Sequence, residues 1–390
     1  MSNMPISKIN KLSQLFQPVT ATIATAKQTE IRSRSYENLL KYGLIKQVTT
    51  GMYAILPLGL RIFNKLTALV DNEMQKIGAQ KLLLPALIPT HLWKKTDRFN
   101  NVTELFKIQD RAQRQYILSP THEESICSIL STIGILSPKM LPLKLYQISN
   151  KWRDEMKPRL GFLRSREFIM KDLYTFDINL NNAQETYALV CNAYENIFKK
   201  IGIMYIKTIG DPGLIGGSIS HEYHYVGHTF LLNTKYTIPL EVKIKINNKS
   251  IPLVMGCFGL GLSRIFTVMT ELLSTKDELR WPKNLAPYTV CLIPPKAGSK
   301  EENKSQYIKE VMEILNQLNI DTILDDRTDL TIGKRFMHAR ITGFPYVIII
   351  GKSIMNFPPL IEIHNINNST NCEISLNDIP NYFNNEDIKL

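Results

Sequence analysis

From Leu60 to Gly78 the chain reads LRIFNKLTALVDNEMQKIG, and Ile62, Phe63, Leu66, Leu69, Val70, Met74 and Ile77 fall on one side of a 3.6-residue repeat. The spacing predicts an amphipathic helix that Gly78 can close. The apolar run KLLLPALIP that follows predicts a short buried strand, with Pro85 and Pro89 at its limits. Residues 143–150 and 167–176 predict two strands of an antiparallel hairpin whose tip is EMKPRLGFLRS. Helical spacing returns over 182–200 through Ala183, Tyr187, Val190, Tyr194 and Ile197. Short strands are predicted from about 202 to 255, broken by DPGLIGGS and NNKS, before a helix near Leu260. At RWPKNLAPYTVCLIPPK the character changes, and strand, helix, strand, helix, strand alternate up to YVIIIGK. Such alternation predicts a separate small α/β domain starting near Ala286.

A chain of 390 residues with 44% hydrophobic content can bury two or three cores. No stretch reaches the roughly 18 uninterrupted apolar residues of a membrane-spanning helix, so no membrane partner is expected. The net charge of +12 points to an acidic partner, most simply nucleic acid. Lysine and asparagine also recur along the whole chain, so general composition accounts for part of that excess. Cys127, Cys191, Cys257, Cys291 and Cys372 show no C-x-x-C spacing, which argues against a zinc knuckle or a disulfide framework and fits a reducing compartment. The first acidic residue is Glu30, and Ile6, Ile9, Leu12 and Leu15 or Phe16 recur near helical spacing beside Lys8 and Lys11. Residues 1–30 therefore resemble a mitochondrial targeting segment, an unstructured N-terminus being the alternative because arginine is missing until Arg32.

Three segments carry the candidate chemistry. In KWRDEMKPRLGFLRSREFIMKD, residues 151–172, positions two apart on a strand share a face. Arg153 would then sit with Glu155, and Arg164 with Arg166 and Phe168, so that cations, an acceptor and an aromatic ring could surround one polyanionic ligand. Alone, the segment fits a salt-bridged surface hairpin equally well. MGCFGLGLSR, residues 255–264, has glycines spaced G-x-x-G-x-G, which is not the dinucleotide fingerprint. Its glycines suit close packing of a strand against a helix, with Arg264 reaching a ligand or the glycines serving packing alone. In LSPTHEESICSIL, Thr121 and Glu124 have the spacing of a capping box, which leaves Glu123 without a structural duty.

Taken in order, these segments resemble the class II aminoacyl-tRNA synthetases. The amphipathic helix with Pro85 is similar to their motif 1, a dimer element. Arg153, Glu155, Arg164, Phe168 and Asp172 fit motif 2, and Gly259, Gly261 and Arg264 fit motif 3. The wording PTHEE, IGGSISHEY, VGHTF, RWPKNLAPY, LDDR and TIGKR, within residues 35–352, resembles the prolyl-tRNA synthetases of the bacterial and mitochondrial type. The implied fold is α+β, an antiparallel class II sheet with flanking helices over 31–285, followed by an α/β anticodon-binding domain over 286–390. The implied activity is activation of proline with ATP and Mg2+, then transfer to the 3' end of tRNA(Pro), by a homodimer in the mitochondrial matrix.

The resemblance also implies roles. Arg153 would hold the α-phosphate near the proline carboxylate, and Glu155 would accept from the adenine amino group. Phe168 would stack on adenine, while Arg164 and Arg264 grip the γ-phosphate beside Gly261. Thr121 and Glu123 would bind the imino nitrogen, in a pocket lined by Gly217, Ser218, His221, His228 and Cys257. Each histidine could equally be an ordinary strand residue, and Cys257 reads as a wall residue rather than a nucleophile. Asp325, Asp326, Arg327, Lys334 and Arg335 would face the anticodon, a solvated charged face being the alternative. No protein metal cage is implied.

Two departures stand out. Only a short stretch separates Asp172 from Gly256, so the large editing domain common in bacterial members is expected to be absent. The usual acid two residues before the Gly-His pair is Tyr225, with Glu222 as a substitute, and a usual glycine is Asn233, which tolerates left-handed backbone. Rival readings are a sibling synthetase, of which a threonine enzyme would need zinc ligands that the scattered cysteines do not support and a histidine or glycine enzyme would lack the PTHEE wording, and a synthetase-like protein that only binds nucleic acid. The ATP contacts argue against the second.

Overall fold

The computed structural model describes residues 10–19, 33–133, 136–224 and 226–385. The expected targeting segment lies outside these residues except for 10–19, and Tyr225 lies outside them altogether.

The hairpin predicted at 143–176 forms the second and third strands of a seven-stranded sheet. Its strands are β1 (Gln80–Lys81), β2 (Leu143–Trp152), β3 (Glu167–Asp177), β4 (Lys207–Ile209), β5 (Ile219–Tyr223), β6 (Gly227–Asn233) and β7 (Val254–Gly261), in the order β1-β2-β3-β7-β6-β5-β4. β1 joins β2 in parallel and the other neighbours are antiparallel. β2 and β3 stay in register from Leu143 opposite Phe176 to Trp152 opposite Glu167.

Alternation along the strands serves two separate layers. Leu173 and Phe258 face a cluster built by α1 (Pro57–Lys76), α3 (Leu180–Ile201) and α4 (Leu262–Leu273), including Leu66, Val190, Ile197 and Phe266. Tyr174, Phe176 and Cys257 face a second cluster with Ile126 and Leu130 of α2 (Glu123–Thr132). Pro57 opens α1 where its missing N–H costs nothing, and Gly78, at φ +70°, lies just beyond its end. The stripe read from the sequence is the buried face, with Ile62, Leu66, Val70 and Met74 fully inside.

KLLLPALIP is not one strand. Pro85 lacks the N–H that a continuing strand would donate, and the chain splits there into β1 and Leu87–Pro89, which pairs with Gln115–Leu118. Between Asp172 and Gly256 the chain is spent on the rest of β3, on α3, on β4 to β6 and on a small hairpin, Lys243–Ile246 with Lys249–Pro252. No inserted domain stands among those described residues. Asn233 takes φ +54°, as its tolerance of left-handed backbone allows.

The C-terminal sheet runs β9-β8-β10-β11-β12 from β8 (Val290–Ile293), β9 (Thr322–Leu324), β10 (Tyr346–Ile349), β11 (Leu360–Asn365) and β12 (Thr370–Ser375). The first three strands are parallel, with α5 (Gln306–Gln317) and α6 (Ile332–Thr342) in the crossovers, and β11 and β12 add antiparallel. Its core is not sealed from the first domain. Phe266 stacks on Trp281 with ring centroids 5.9 Å apart, and the same cluster continues through Leu285, Tyr288, Cys291 and Ile349. Arg61 of α1 closes the junction with a two-oxygen contact to Asp321 at 2.8 and 2.7 Å, its guanidinium 3.9 Å from the Tyr288 ring centroid.

Candidate active site

A cavity of about 420 Å³ opens at the ends of β2, β3 and β7. Arg153, the residue after β2, and Arg264, in the first turn of α4, both line it. A backbone bond from Arg153 N to Arg166 O, 2.9 Å, ties the first arginine to the far side of the hairpin. Gly261 ends β7 against the second, where an added Cβ would lie 3.3 Å from Arg264 Cδ. Burial lowers the pKa of Arg153, and burial with the neighbouring Arg153 charge lowers Arg264 to about 10. Two cations held together against their own desolvation and repulsion favour an anion between them. Phe168, buried on β3, has its ring centroid 5.2 Å from the Arg153 guanidinium.

The other end of the cavity is anionic. Glu123 is fully buried at the start of α2 and accepts from Thr121 Oγ1 at 2.6 and 2.7 Å, from Arg98 Nη1 at 3.1 Å and from Cys257 Sγ at 3.1 Å. Burial alone would favour its neutral form, but the Arg98 charge and these hydrogen bonds keep it ionised. Arg98 also binds Glu124 at 3.0 Å, and Thr96 donates to Glu124 at 2.8 Å. Burial and the Glu123 charge, opposed by Arg98, raise the pKa of Glu124, so Glu124 is the carboxyl of this pair that takes up a proton. The expected capping box is therefore absent: α2 has no side-chain cap, because Thr121 turns to Glu123 and Glu124 turns to Arg98. Glu123 has partners after all.

Asp172 lies on the cavity floor, bound by Lys151 at 2.8 Å, Gln147 Nε2 at 2.9 Å and the Tyr174 hydroxyl at 2.8 Å. Although burial opposes its charge, Lys151 and His122, whose Nδ1 lies 3.6 Å away, hold its carboxyl far below the usual range. Lys171, pointing to the opposite face, is fully buried against Tyr194 and the Phe258 carbonyl, and desolvation lowers it to about 7.

Thr121, Glu123, Arg153, His228, Cys257, Gly261 and Arg264 thus meet around one cavity. The other expected residues are placed elsewhere. The tip of the hairpin is not strand, and Glu155 accepts from Arg164 Nε at 2.7 Å, while Arg164 is exposed and outside the cavity lining. Alternation along β5 sends His221 to the helix layer, where its Nδ1 is 2.7 Å from the Tyr187 hydroxyl, and brings Glu222 to the cavity. His228 stays on the cavity wall, stacked on Phe230 at 4.0 Å and bonded to Ser220 Oγ at 2.7 Å. Gly217 and Ser218 are exposed and outside the lining. Gly217 serves the turn: at φ +116°, its Cβ would come 2.4 Å from the Leu231 carbonyl oxygen.

Arg98, Trp93, Glu104 and Met170 also line the cavity, and the sequence reading passed over them. Arg98 stands in the polar run KKTDRFNN, where nothing separates a buried ion-pair partner from a surface cation. In the C-terminal domain, Arg327 makes a two-bond contact to buried Asp325 at 2.8 and 2.6 Å, and Lys334 is exposed at the start of α6. Arg335 differs from the expectation of a surface contact. It is fully buried and donates to the Asp325 carbonyl at 3.3 Å, so it supports the loop from below.

A largely antiparallel sheet with one arginine after β2 and another in α4, the helix that follows β7, beside a smaller α/β unit, is the arrangement of a class II aminoacyl-tRNA synthetase. Residues 106–272 match the family described as the tRNA synthetase class II core domain (G, H, P, S and T), and residues 289–386 match the anticodon binding domain. The chain belongs to the proline–tRNA ligase family. It is 39% identical to "Probable proline--tRNA ligase, mitochondrial" of Homo sapiens and 38% identical to that of Mus musculus, in each case over 90% of this chain and 86% of the relative. It is 33% identical to "Proline--tRNA ligase" of Ehrlichia canis, over 91% of this chain and 96% of the relative. In fold it is similar to the prolyl-tRNA synthetase of Cryptosporidium parvum complexed with L-proline and AMP, with a TM-score of 0.80, 19% identity and coverage of 90% of this chain and 74% of that one. The Giardia lamblia enzyme in complex with prolyl-adenylate gives a TM-score of 0.78 at 19% identity, over 86% of this chain and 73% of that one.

Proposed function

We propose that this chain activates proline with ATP to prolyl-adenylate and transfers the prolyl group to the 3' end of tRNA(Pro), for mitochondrial translation in the matrix. One observation carries the reading: Arg153, Arg264 and the buried, ionised Glu123 line the same cavity. The arginine end suits a triphosphate, and the glutamate end suits the secondary ammonium of an imino acid.

The proline carboxylate attacks the α-phosphorus and pyrophosphate leaves, a reaction that needs alignment and charge stabilisation more than a protein nucleophile. Arg153 neutralises the α-phosphate and carboxylate as they approach, and Arg264 holds the γ-phosphate. Phe168 offers adenine its face. Glu155 and Arg164 complete the nucleotide site, which requires their 2.7 Å pair to part. Thr121 and Glu123 hold the imino nitrogen while Cys257 and His228 close the pocket wall. The terminal adenosine of tRNA then displaces AMP from the adenylate.

Mg2+ enters as part of the nucleotide substrate. Among the described residues no group of three or more His, Cys, Asp or Glu could hold a metal ion alone, and Glu222 is a carboxylate on the cavity wall for a metal carried by phosphates. Asp326, Arg327 and Lys334 meet the anticodon, with Arg335 as support beneath them. The protein works as a homodimer, from the motif 1 resemblance. Matrix location is supported by the mitochondrial relatives and by the acid-free stretch before Glu30. No described helix is long and apolar enough to cross a membrane.

The test is proline-dependent ATP–pyrophosphate exchange, followed by charging of tRNA(Pro). Exchange with proline is the expected result; its absence in folded protein that still binds tRNA would overturn the reading.

A further inference from the structure

Residues 10–19 cross from one domain to the other. The carbonyl of Asn10 accepts from Leu324 N at 2.9 Å, and Lys11 bridges Leu324 in parallel, so the segment extends the free edge of β9. Leu12 is buried in the core that the two domains share, with Leu15 packed against it. Farther along, Gln17 Nε2 donates to the Tyr42 carbonyl at 3.0 Å on the catalytic side and reaches Thr342 Oγ1 of α6 at 3.5 Å. Between these anchors, Ser13 donates twice to one carboxylate: its N–H to Asp326 Oδ1 at 3.0 Å and its hydroxyl to Oδ2 at 2.7 Å.

We propose that residues 10–19 are a permanent strap of the working enzyme and that Ser13 is a positioning residue for tRNA, presetting the Asp326 carboxylate at the anticodon face. The inference rests on the reading that Asp326 meets the anticodon. A carboxylate oxygen can accept more than one hydrogen bond. Ser13 occupies one position on each oxygen and fixes the plane of the group, and a remaining acceptor position would then meet a donor group on a base edge, such as a cytosine amino group or the guanine Watson–Crick edge. Burial would raise the Asp326 pKa, yet the two Ser13 bonds outweigh it and keep the acceptor ionised. Any removal of a targeting sequence must then cut before residue 10.

The experiment compares the full chain with Ser13→Ala and Ser13→Thr. Losing the hydroxyl bond is expected to raise KM for tRNA(Pro) about five- to tenfold, with ATP–pyrophosphate exchange unchanged and the melting temperature within a degree or two. Ser13→Thr keeps the hydroxyl and should restore KM. A minihelix carrying only the acceptor stem should be charged equally by all three proteins, which a general structural defect would not allow. Equal KM for tRNA in wild type and Ser13→Ala overturns the proposal, as does a mature mitochondrial enzyme whose first residue, by peptide mapping, lies beyond residue 19. Missing exchange in the wild type counts instead against the synthetase reading.

Discussion

The Thr121 hydroxyl lies 2.6 and 2.7 Å from the two carboxylate oxygens of Glu123. This contact turns the first residue of α2 toward the cavity and sets where a substrate ammonium can be met. Glu123→Gln keeps the shape and removes the charge. It should raise KM for proline in the exchange assay by about 10- to 100-fold, the range of a hydrogen bond to a charged group, with KM for ATP unchanged. An equal effect on both substrates would remove Glu123 from the proline end.

Arg98 neutralises two buried carboxylates at once. Arg98→Met should cost about 3–5 kcal/mol of stability, because Glu123 and Glu124 would be left facing each other without a cation. Adding Glu124→Gln removes one of the two charges and should recover part of the loss. Denaturant unfolding of the single and double variants measures it, and strictly additive losses would show that the three groups are not coupled.

Arg153 and Arg264 bring two positive charges to one cavity, their repulsion opposed in part by Glu222. Arg264→Gln should reduce exchange by about 100- to 1,000-fold, the usual loss when a preorganised charge contact is removed. Unchanged exchange in this variant would remove Arg264 from the nucleotide site.

Lys171 predicts a pH dependence. Its pKa is about 7 in the fold and 10.5 as the ordinary value, so between these limits the unfolded chain holds a proton that the folded one lacks. Stability must then rise with pH across that window, and below about pH 7 the penalty for a buried ammonium is fully present. Lys171→Met should flatten the rise, which amounts to a few kcal/mol. Urea midpoints measured from pH 7 to 10 check this, and an unchanged slope would refute it.

Alanine should be charged onto tRNA(Pro) at a detectable rate. A small apolar pocket separates aliphatic side chains of such similar size by only about 1–3 kcal/mol, and the described chain between Asp172 and Gly256 contains no second domain to hydrolyse the product. Rapid clearance of alanyl-tRNA(Pro) by this chain in a deacylation assay would contradict the expectation.

The sequence made some of this architecture legible and hid the rest for identifiable reasons. The β2–β3 hairpin, α1 and α3 were readable because each buries one face, and burial imposes a period. Arg153 and Arg264 could be picked out because a charge inside an apolar pattern is conspicuous, and Glu123 because the capping-box spacing of Thr121 and Glu124 left it without a duty. Arg98 could not, since its partners come from another helix and its neighbours in sequence are polar. The strand parity of His221 and His228 also escaped, as an irregular turn separates them and the register across it fixes which wall each joins. Arg335 looked like a surface cation because a helix start gives no sign of the loop that covers it. The capping-box spacing of Thr121 and Glu124 was real, but the hydrogen bond from Thr121 to Glu123 and the ion pair of Glu124 with Arg98 outcompeted it.

The Phe266–Trp281 stack and the apolar cluster around it join the two lobes through one buried core. On the proposed reading, such a molecule works as a fixed gauge: the span from Arg153 and Arg264 to the Asp326 loop is set by packed side chains, and a transfer RNA must match that span instead of drawing a flexible arm toward itself. Damage to the stack would therefore be felt as misalignment, in slower transfer from the adenylate, while adenylate formation at the other end continued at its normal pace.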